Sequence, residues 1–185
     1  MRKLIMWNMV TLDGLFEGAQ PWDLDFHDTG WGEELQRFVT EQMGAADLLL
    51  FGRVTYEGMA QYWSTATGET AAQMNAIQKV VFSRTLASAT WANTRLVSAD
   101  AADEVARLKQ EPGKDILVFG SADLCDSLAR AGLIDEYRLG INPVVLGQGT
   151  PLFKPGTEQT KMRLLEARPL QTGCVLAFYA PEAAA

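Results

Sequence analysis

The sequence is poor in the residues that hold metals or form disulfides, because it has two cysteines and one histidine among 185 residues. Cys125 and Cys174 lie far apart in apolar stretches, which is typical of buried, reduced thiols in a cytoplasmic protein. The histidine, His27, has no cysteine or histidine partner at a metal-ligand spacing. These shortages predict neither a disulfide scaffold nor a metal site, and they favour a cytoplasmic location.

Long hydrophobic runs and an excess of basic residues are also lacking. No apolar run reaches the ~18 residues that cross a bilayer, and the apolar N-terminus is interrupted by Asn8 and followed by Asp13, with no small-residue cleavage site. The formal net charge is −7, so the chain has no basic face large enough for a nucleic-acid backbone. Neither a membrane nor a nucleic acid is therefore expected as a partner, whereas a nucleotide needs only a few local donors.

The common phosphate-binding fingerprints are missing, since the chain has neither Gly-x-Gly-x-x-Gly nor Gly-x-x-x-x-Gly-Lys-Ser/Thr. Three apolar runs that are typical of buried strands nevertheless end in Gly52-Arg53, Ser83-Arg84 and Gly120-Ser121. Helix patterns begin directly after the first and the third. In a mostly parallel sheet the strand ends share one edge, where helix N-termini and cations can hold the phosphates of a nucleotide. An ordinary strand–turn–helix with Arg53 in solvent is the alternative interpretation.

Strand and helix patterns alternate along the chain and predict a single α/β domain over residues 1–185. Strands are predicted at 3–11, 48–52, 79–84, 94–97, 115–119 and 133–141, and helices at 33–43, 54–60, 70–77, 101–110 and 122–131. Residues 161–167 and 173–179 are predicted to form an antiparallel hairpin at one edge of the sheet. An unprotected edge of that kind favours a homodimer.

Residues 14–30 form a long loop by the usual standard, and long loops in compact domains are often functional. Its apolar residues Trp22 and Phe26 should hold it over another part of the molecule. His27 is a candidate proton donor or substrate contact, or else a solvated loop residue. The tryptophans either stack on a heterocyclic ligand or pack in the core and loops. They are Trp7, Trp22, Trp31 and Trp63.

Six segments, taken in order, resemble the dihydrofolate reductase fold. They are Leu12-Asp13-Gly14, Gly52-Arg53-Val54-Thr55, Phe82-Ser83-Arg84, Val118-Phe119-Gly120-Ser121, Gly132–Leu139 and Asn142–Gly149. The chain is most similar to the branch that contains the C-terminal reductase domain of the bacterial bifunctional deaminase-reductase of riboflavin biosynthesis. The resemblance implies an α/β fold with a central, mostly parallel sheet of about eight strands, flanking helices and a C-terminal antiparallel hairpin. No deaminase domain is expected, because the zinc-binding His and Cys set is missing.

The resemblance implies NADPH as the hydride donor. The implied cofactor-binding residues are Gly14, Gly52, Arg53, Thr55, Ser83, Arg84, Gly120, Ser121, Ala122 and Asp123. Ser83 and Arg84 match the corner that takes the ribose 2′-phosphate. The family usually has a second glycine at the position of Ser121, so a positive φ there would be strained.

The resemblance also implies an acidic residue that serves the substrate near the start of the first helix. Glu33 and Glu34 lie there, and Asp13 belongs to the loop that closes over the nicotinamide, so these three are the candidate catalytic acids. A carboxylate favoured by the helix dipole is the alternative explanation for either glutamate.

The sequence therefore predicts an NADPH-dependent reductase of a pyrimidine- or pterin-like heterocycle, similar to the reductase of riboflavin biosynthesis. One alternative is a non-catalytic nucleotide-binding or self-associating protein of the same fold. Another is an α/β protein that uses Gly52-Arg53 for a different phosphorylated ligand.

Overall fold

The computed structural model of this chain is built around one large β-sheet. The structure describes residues 1–182, so the last three residues of the predicted domain 1–185 lie outside the described part. The strands are β1 (Leu4–Thr11), β2 (Leu15–Glu17), β3 (Ala46–Gly52), β4 (Gln78–Phe82), β5 (Thr94–Val97), β6 (Asp115–Phe119), β7 (Glu136–Asn142), β8 (Thr150–Pro151), β9 (Met162–Pro169) and β10 (Val175–Pro181). The α-helices are α1 (Glu33–Ala45), α2 (Arg53–Trp63), α3 (Glu69–Ala76), α4 (Ala101–Gln110) and α5 (Ala122–Arg130), and Asp25–Thr29 forms a 3₁₀ helix.

Eight strands form the main sheet, in the order β5-β4-β3-β6-β1-β7-β10-β9. Neighbours from β5 to β7 are parallel, whereas β10 runs antiparallel to both β7 and β9. The predicted fold, a mostly parallel sheet of about eight strands with a C-terminal antiparallel hairpin at one edge, is confirmed. β2 and β8 pair separately as a small antiparallel sheet.

Helices cover both faces of the sheet. On one face α4 and α5 contribute Val105 and Leu128 to the core. On the other face α1, α2 and α3 contribute Met43, Tyr56 and Met74. The central strands β1, β3 and β6 are covered on both faces, which explains their nearly continuous apolar sequences. Within residues 1–182, no helix is long and apolar enough to cross a membrane.

The start of β7 differs from its prediction for a local reason. The strand was predicted from Leu133 but begins at Glu136. Gly132 N–H donates to Ala129 O at 2.9 Å, and Leu133 N–H donates to Leu128 O at 3.0 Å. These two bonds close the end of α5, in the way that a left-handed glycine allows, so the intervening residues belong to the helix cap and the turn.

Lys79 on β4 holds the end of α3 next to the sheet. Its side chain is 1% exposed. Its ammonium donates to Met74 O at 2.7 Å and to Ile77 O at 2.6 Å, and it lies 4.6 Å from the ring centroid of Trp91. Burial lowers the pKa of this ammonium to about 8. The carbonyls at a helix C-terminus have no partner within the helix, so the lysine satisfies groups that would otherwise be buried unpaired.

Replacing Lys79 tests this assignment. Lys79→Met leaves two buried carbonyls without a donor, and we expect the free energy of unfolding to fall by about 1–3 kcal/mol in urea denaturation. Lys3→Met is the matched control, because Lys3 is 59% exposed and its surface ion pair with Glu136 is weak. A Lys79→Met protein as stable as the control would show that desolvating the ammonium costs as much as its hydrogen bonds return.

Candidate functional site

A cavity of about 1160 Å³ lies at the edge of the sheet where the parallel strands end. Its floor is formed by Trp7, Asn8 and Met9 of β1, and its rim includes the ends of β3, β4 and β6. Typical small-molecule sites measure roughly 300–1,000 Å³, so this cavity is larger than the usual site for one small ligand. Ligands of open α/β sheets bind in this crevice, outside the carboxyl ends of the strands at the point where the strand order reverses.

Three helices begin at the wall of the cavity with free N-termini. Among the described residues, no side chain caps the first N–H groups of α2, α3 or α5. The contrast is α4, which begins away from the cavity. There Asp100 accepts hydrogen bonds from Ala102 N–H at 2.9 Å and from Asp103 N–H at 3.2 Å. The uncapped helices therefore present unpaired donors, and the positive end of their dipoles, to an anionic ligand.

The junctions β3–α2 and β6–α5 are tied to each other. Gly52 N–H donates to Ser121 Oγ at 2.9 Å, and Ser121 N–H donates to Thr55 Oγ1 at 2.9 Å. A third bond, from Gly120 N–H to Asn8 Oδ1 at 2.8 Å, fixes the same turn to β1. The sequence predicted these residues as separate parts of a cofactor site, and the structure brings them into contact.

The turn at Gly120-Ser121 is a left-handed one. Gly120 has φ 62°, and a Cβ added there would lie 2.8 Å from Thr55 Cγ2. Ser121 has φ 55° and ψ 50°, the conformation in which the sequence predicted strain for a residue other than glycine. Such a residue costs roughly 1–2 kcal/mol, and the two hydrogen bonds to Gly52 and Thr55 hold it in place.

The cations predicted to meet phosphates lie at the rim. Arg53 lines the cavity and donates to Glu57 Oε2 at 2.9 Å; both side chains are nearly half exposed, so this ion pair is weak and easily exchanged. Ser83 lines the cavity and accepts hydrogen bonds from the N–H groups of Thr85 and Leu86. Arg84, the next residue in the chain, is exposed and does not line the cavity.

Asp13 and Gly14 lie in the turn that follows β1, outside the cavity lining. The Asp13 carboxylate accepts hydrogen bonds from Thr11 Oγ1 and from Gly147 N–H at 2.8 Å. These bonds lower the pKa of Asp13 below its usual value, the Thr11 hydroxyl being the largest cause. Leu152 N–H donates to Gly14 O at 3.1 Å, so both residues fasten the turn to the segment after β7.

Glu33 and Glu34 also lie outside the lining. Glu33 is exposed, and Glu34 Oε2 accepts a hydrogen bond from Gln171 N–H at 2.7 Å. The face of α1 that reaches the cavity carries Gln36 and Gln42 instead. The structure thus brings none of the three predicted acids to the cavity wall, and the acidic residues that do line it are Glu17, Glu69 and Asp123.

Two glutamines that sequence reasoning passed over contribute amides to the wall. Gln36 Nε2 donates to Thr70 Oγ1 at 3.2 Å and so joins α1 to α3. Gln42 is 4% exposed, and in the described part of the chain its Oε1 has no hydrogen-bond partner. Their helical spacing with Val39 and Met43 could have indicated that both glutamines lie on the same buried face of α1.

The segment 14–30, predicted as a loop, contains β2 and the 3₁₀ helix and closes over the cavity. Trp22 reaches across to α2, where a Cβ on Gly58 would lie 2.0 Å from Trp22 Cζ2. The indole therefore rests directly on the glycine. All four tryptophans that the sequence offered as ring-stacking candidates line the cavity: Trp7, Trp22, Trp31 and Trp63.

His27 lines the cavity beside the buried ring of Phe26, with 4.7 Å between the ring centroids. Burial lowers its pKa to about 4, although the Asp28 carboxylate partly offsets the effect. The imidazole is therefore uncharged at neutral pH, and it is more buried than the solvated residue that one interpretation of the sequence expected.

Known proteins are similar to this chain in sequence or in fold. The sequence profile of the RibD C-terminal domain matches residues 2–176. YyaP of Bacillus subtilis is 31% identical over 186 residues, covering 96% of this chain and 94% of YyaP. A Shewanella sp. PV-4 protein assigned to riboflavin biosynthesis superposes with a TM-score of 0.80 at 19% identity, covering 97% and 99% of the two chains. Dihydrofolate reductase from Enterococcus faecalis, solved with NADP(H), gives a TM-score of 0.63 at 12% identity, covering 97% and 96%.

The bond between Thr55 and Ser121 can be tested by replacing a hydroxyl with a methyl group. Thr55→Val leaves the buried Ser121 N–H without an acceptor, and we expect a loss of about 1–3 kcal/mol in the free energy of unfolding. Thr55→Ser keeps the hydroxyl and removes only a methyl group, so it should lose clearly less. Equal losses in urea denaturation would show that methyl packing, and not the hydrogen bond, carries the contribution of Thr55.

The buried imidazole predicts a pH dependence of stability. The pKa of His27 is about 4 in the folded chain and near 6.5 when unfolded, so the unfolded state binds more protons between these values. Stability is therefore lost as the pH falls from about 6.5 to 4, by roughly 1–3 kcal/mol. Because glutamine does not titrate, the free energy of unfolding of the native chain minus that of His27→Gln should be constant above about pH 7 and should fall by this amount as the pH is lowered from about 6.5 to 4. A difference that stays constant over the whole range in denaturation curves would place His27 in solvent.

Proposed function

The chain belongs to the family of RibD C-terminal domains, as its six ordered segments predicted, and on that premise we propose that it is an NADPH-dependent reductase of a pyrimidine- or pterin-like heterocycle. The proposed reaction class is that of the 5-amino-6-(5-phosphoribosylamino)uracil reductases. The observation that carries the proposal is the meeting of α2 and α5, two helices with free N-termini, at one edge of the sheet.

NADPH fits the donors at this edge. The pyrophosphate would lie between the two helix starts, and its proposed contacts are Gly52, Arg53, Thr55, Gly120, Ser121, Ala122 and Asp123. Ser83 and Arg84 would hold the 2′-phosphate, and Gly14 would close over the nicotinamide. Asn8 Nδ2 is buried and, among the described residues, has no partner. The carboxamide oxygen of the nicotinamide is an acceptor that this donor needs.

The cofactor, when bound, supplies the hydride. The chain itself binds and orients two ligands in one cavity and excludes water from them. Trp22, resting on Gly58, keeps the loop over the cavity. Glu33, Glu34 and Asp13 would reach a substrate only through water or a movement of their segments, so the lining carboxylates of Glu17 and Glu69 are better placed for a proton step.

A non-catalytic nucleotide-binding protein is the second candidate. The observation that favours it is the position of the three predicted acids outside the cavity lining. Stoichiometric NADPH binding with no oxidation across a panel of reducible heterocycles would support this candidate over the reductase. A third candidate, a site for another phosphorylated ligand at Gly52-Arg53, would be supported if ribose phosphates stabilise the fold and NADPH does not.

We also propose that the protein is a cytoplasmic homodimer. Both cysteines are buried free thiols, which suits a reducing compartment. Strand β9 ends the main sheet, and its Leu164 and Leu165 are 53% and 41% exposed. Antiparallel pairing of two β9 strands about a twofold axis between these leucines would place Arg163 opposite the partner's Glu166.

Thermal unfolding with NADPH, NADP and NADH tests the cofactor assignment. A ligand at 100 times its Kd stabilises the folded state by ~2.7 kcal/mol, so NADPH should raise the melting temperature and NADH should raise it less. Arg84→Ala should weaken NADPH by about 10- to 100-fold, the range of a charged hydrogen bond, and leave NADH nearly unchanged.

Arg168→Ala is the control, because Arg168 lies on β9 and pairs with Glu166. An equal loss of NADPH and NADH affinity in Arg84→Ala would remove the 2′-phosphate from this corner. A chain that none of the three nucleotides stabilises would have the reductase fold without its cofactor site.

A further inference from the structure

The charges around the cavity are unfavourable for an anionic substrate. Within residues 1–182 the lining contains no lysine, and Arg53 is its one arginine. Arg53 lies at the start of α2, where the cofactor phosphates would already use its charge. The carboxylates of Glu17 and Glu69 add negative charge to the same wall, whereas that of Asp123 is paired with Lys154, which lies outside the lining and is used by this ion pair. A substrate phosphate beside the phosphates of NADPH would therefore meet repulsion with no cation left to offset it.

Next to Glu69, the wall between α1 and α3 carries uncharged polar groups. Gln36 and Thr70 form a bridge across it at 3.2 Å. Trp31, Trp63 and Met74 add apolar surface to the same cavity. Flat aromatic walls with a few fixed amides are suited to a planar, uncharged ring.

Gln42 supplies an acceptor that the protein itself leaves unused. Its side chain lines the cavity and is 4% exposed, and its Oε1 is buried with no hydrogen-bond partner among the described residues. A buried carbonyl oxygen without a donor destabilises the protein unless a ligand supplies the donor. The N–H of a cyclic amide is such a donor, and it carries no charge.

We propose that the substrate is an uncharged, unphosphorylated heterocycle with a cyclic amide edge, whose N–H donates to Gln42 Oε1 between α1 and α3. This inference rests on the proposed reductase function and narrows its substrate class. It separates this chain from reductases whose substrate carries a phosphoribosyl group, because the described lining has no cation left for that phosphate.

Binding to the NADP-loaded protein tests the proposal with three ligands, two of which differ only by a phosphate. The probes are lumazine, the riboside of 5,6-diaminouracil, and the same riboside with a 5′-phosphate, each titrated by calorimetry. Lumazine and the riboside should bind. The phosphorylated riboside should bind at least about tenfold more weakly than the free riboside, because its phosphate meets the negative charges of the site; tenfold corresponds to about 1.4 kcal/mol. A phosphorylated riboside that binds as tightly as the free riboside would overturn the proposal.

Two variants separate a binding role for Gln42 from a structural one. Gln42→Met should weaken lumazine and the riboside by about tenfold or more, leave NADP affinity unchanged and raise the melting temperature of the free protein. Gln73→Met is the control, because Gln73 Oε1 is also buried without a partner among the described residues but lies outside this cavity. That variant should leave all ligand affinities unchanged.

Unchanged affinity in Gln42→Met would also overturn the proposal, as would a failure of both uncharged probes at millimolar concentration when NADP binds. Failure of NADP itself would instead overturn the cofactor assignment. The same probes and variants are then compared on the unloaded protein. Binding to the native chain that is lost in Gln42→Met supports the proposal, and a native chain that binds neither uncharged probe rejects it.

Discussion

The candidate site depends on one reciprocal pair of hydrogen bonds between neighbouring strand ends. Strands β3 and β6 are adjacent, but the helices that follow them cover opposite faces of the sheet. The two chains must diverge at one point, and Gly52, Thr55 and Ser121 bond to each other there. Because each junction holds the other, both helix starts keep their free donors aimed at the same cavity. The left-handed Ser121 is tolerated for this reason: its strain is offset by the bonds that only this conformation allows.

Elsewhere in the molecule buried polar groups are mostly paired, and this makes the exceptions informative. Lys79 satisfies helix carbonyls, and Lys109 donates to Leu133 O at 2.7 Å. Four side-chain atoms in the described residues are buried without partners, and two of them, Asn8 Nδ2 and Gln42 Oε1, belong to residues that line the cavity. An unpaired donor on the floor and an unpaired acceptor on the wall are a cost to the free protein that bound ligands can remove.

The sheet and its ligand edge could be predicted from the sequence because they depend on local signals. Apolar runs that stop at Gly52 and Gly120 mark both the strand ends and the helix starts, and the resemblance then implies a mostly parallel sheet of about eight strands. The acids could not be placed in this way, because a carboxylate near a helix start says nothing about which face of the helix meets the cavity. Glu34 accepts a hydrogen bond from Gln171 N–H, whereas Gln42, about two turns further along α1, is buried beside the cavity. Arg84 could be placed near the rim from the sequence, because it directly follows a strand. Whether its side chain reaches the cavity could not be predicted, and the structure leaves it outside the lining.

In the proposed reduction a proton must accompany the hydride, and the side chains of the cavity wall limit where that proton can come from. His27 has the side chain that ordinarily titrates near neutrality, but its pKa of about 4 leaves the imidazole uncharged at neutral pH. The neutral ring can orient a ligand by hydrogen bonding but holds no proton that it readily gives up. The amides of the wall cannot donate one either. For a neutral ring bound between α1 and α3, the proton would then come from water that enters with the substrate and is held by the carboxylates of Glu17 or Glu69, and the packing of Trp22 on Gly58 would control how much water enters.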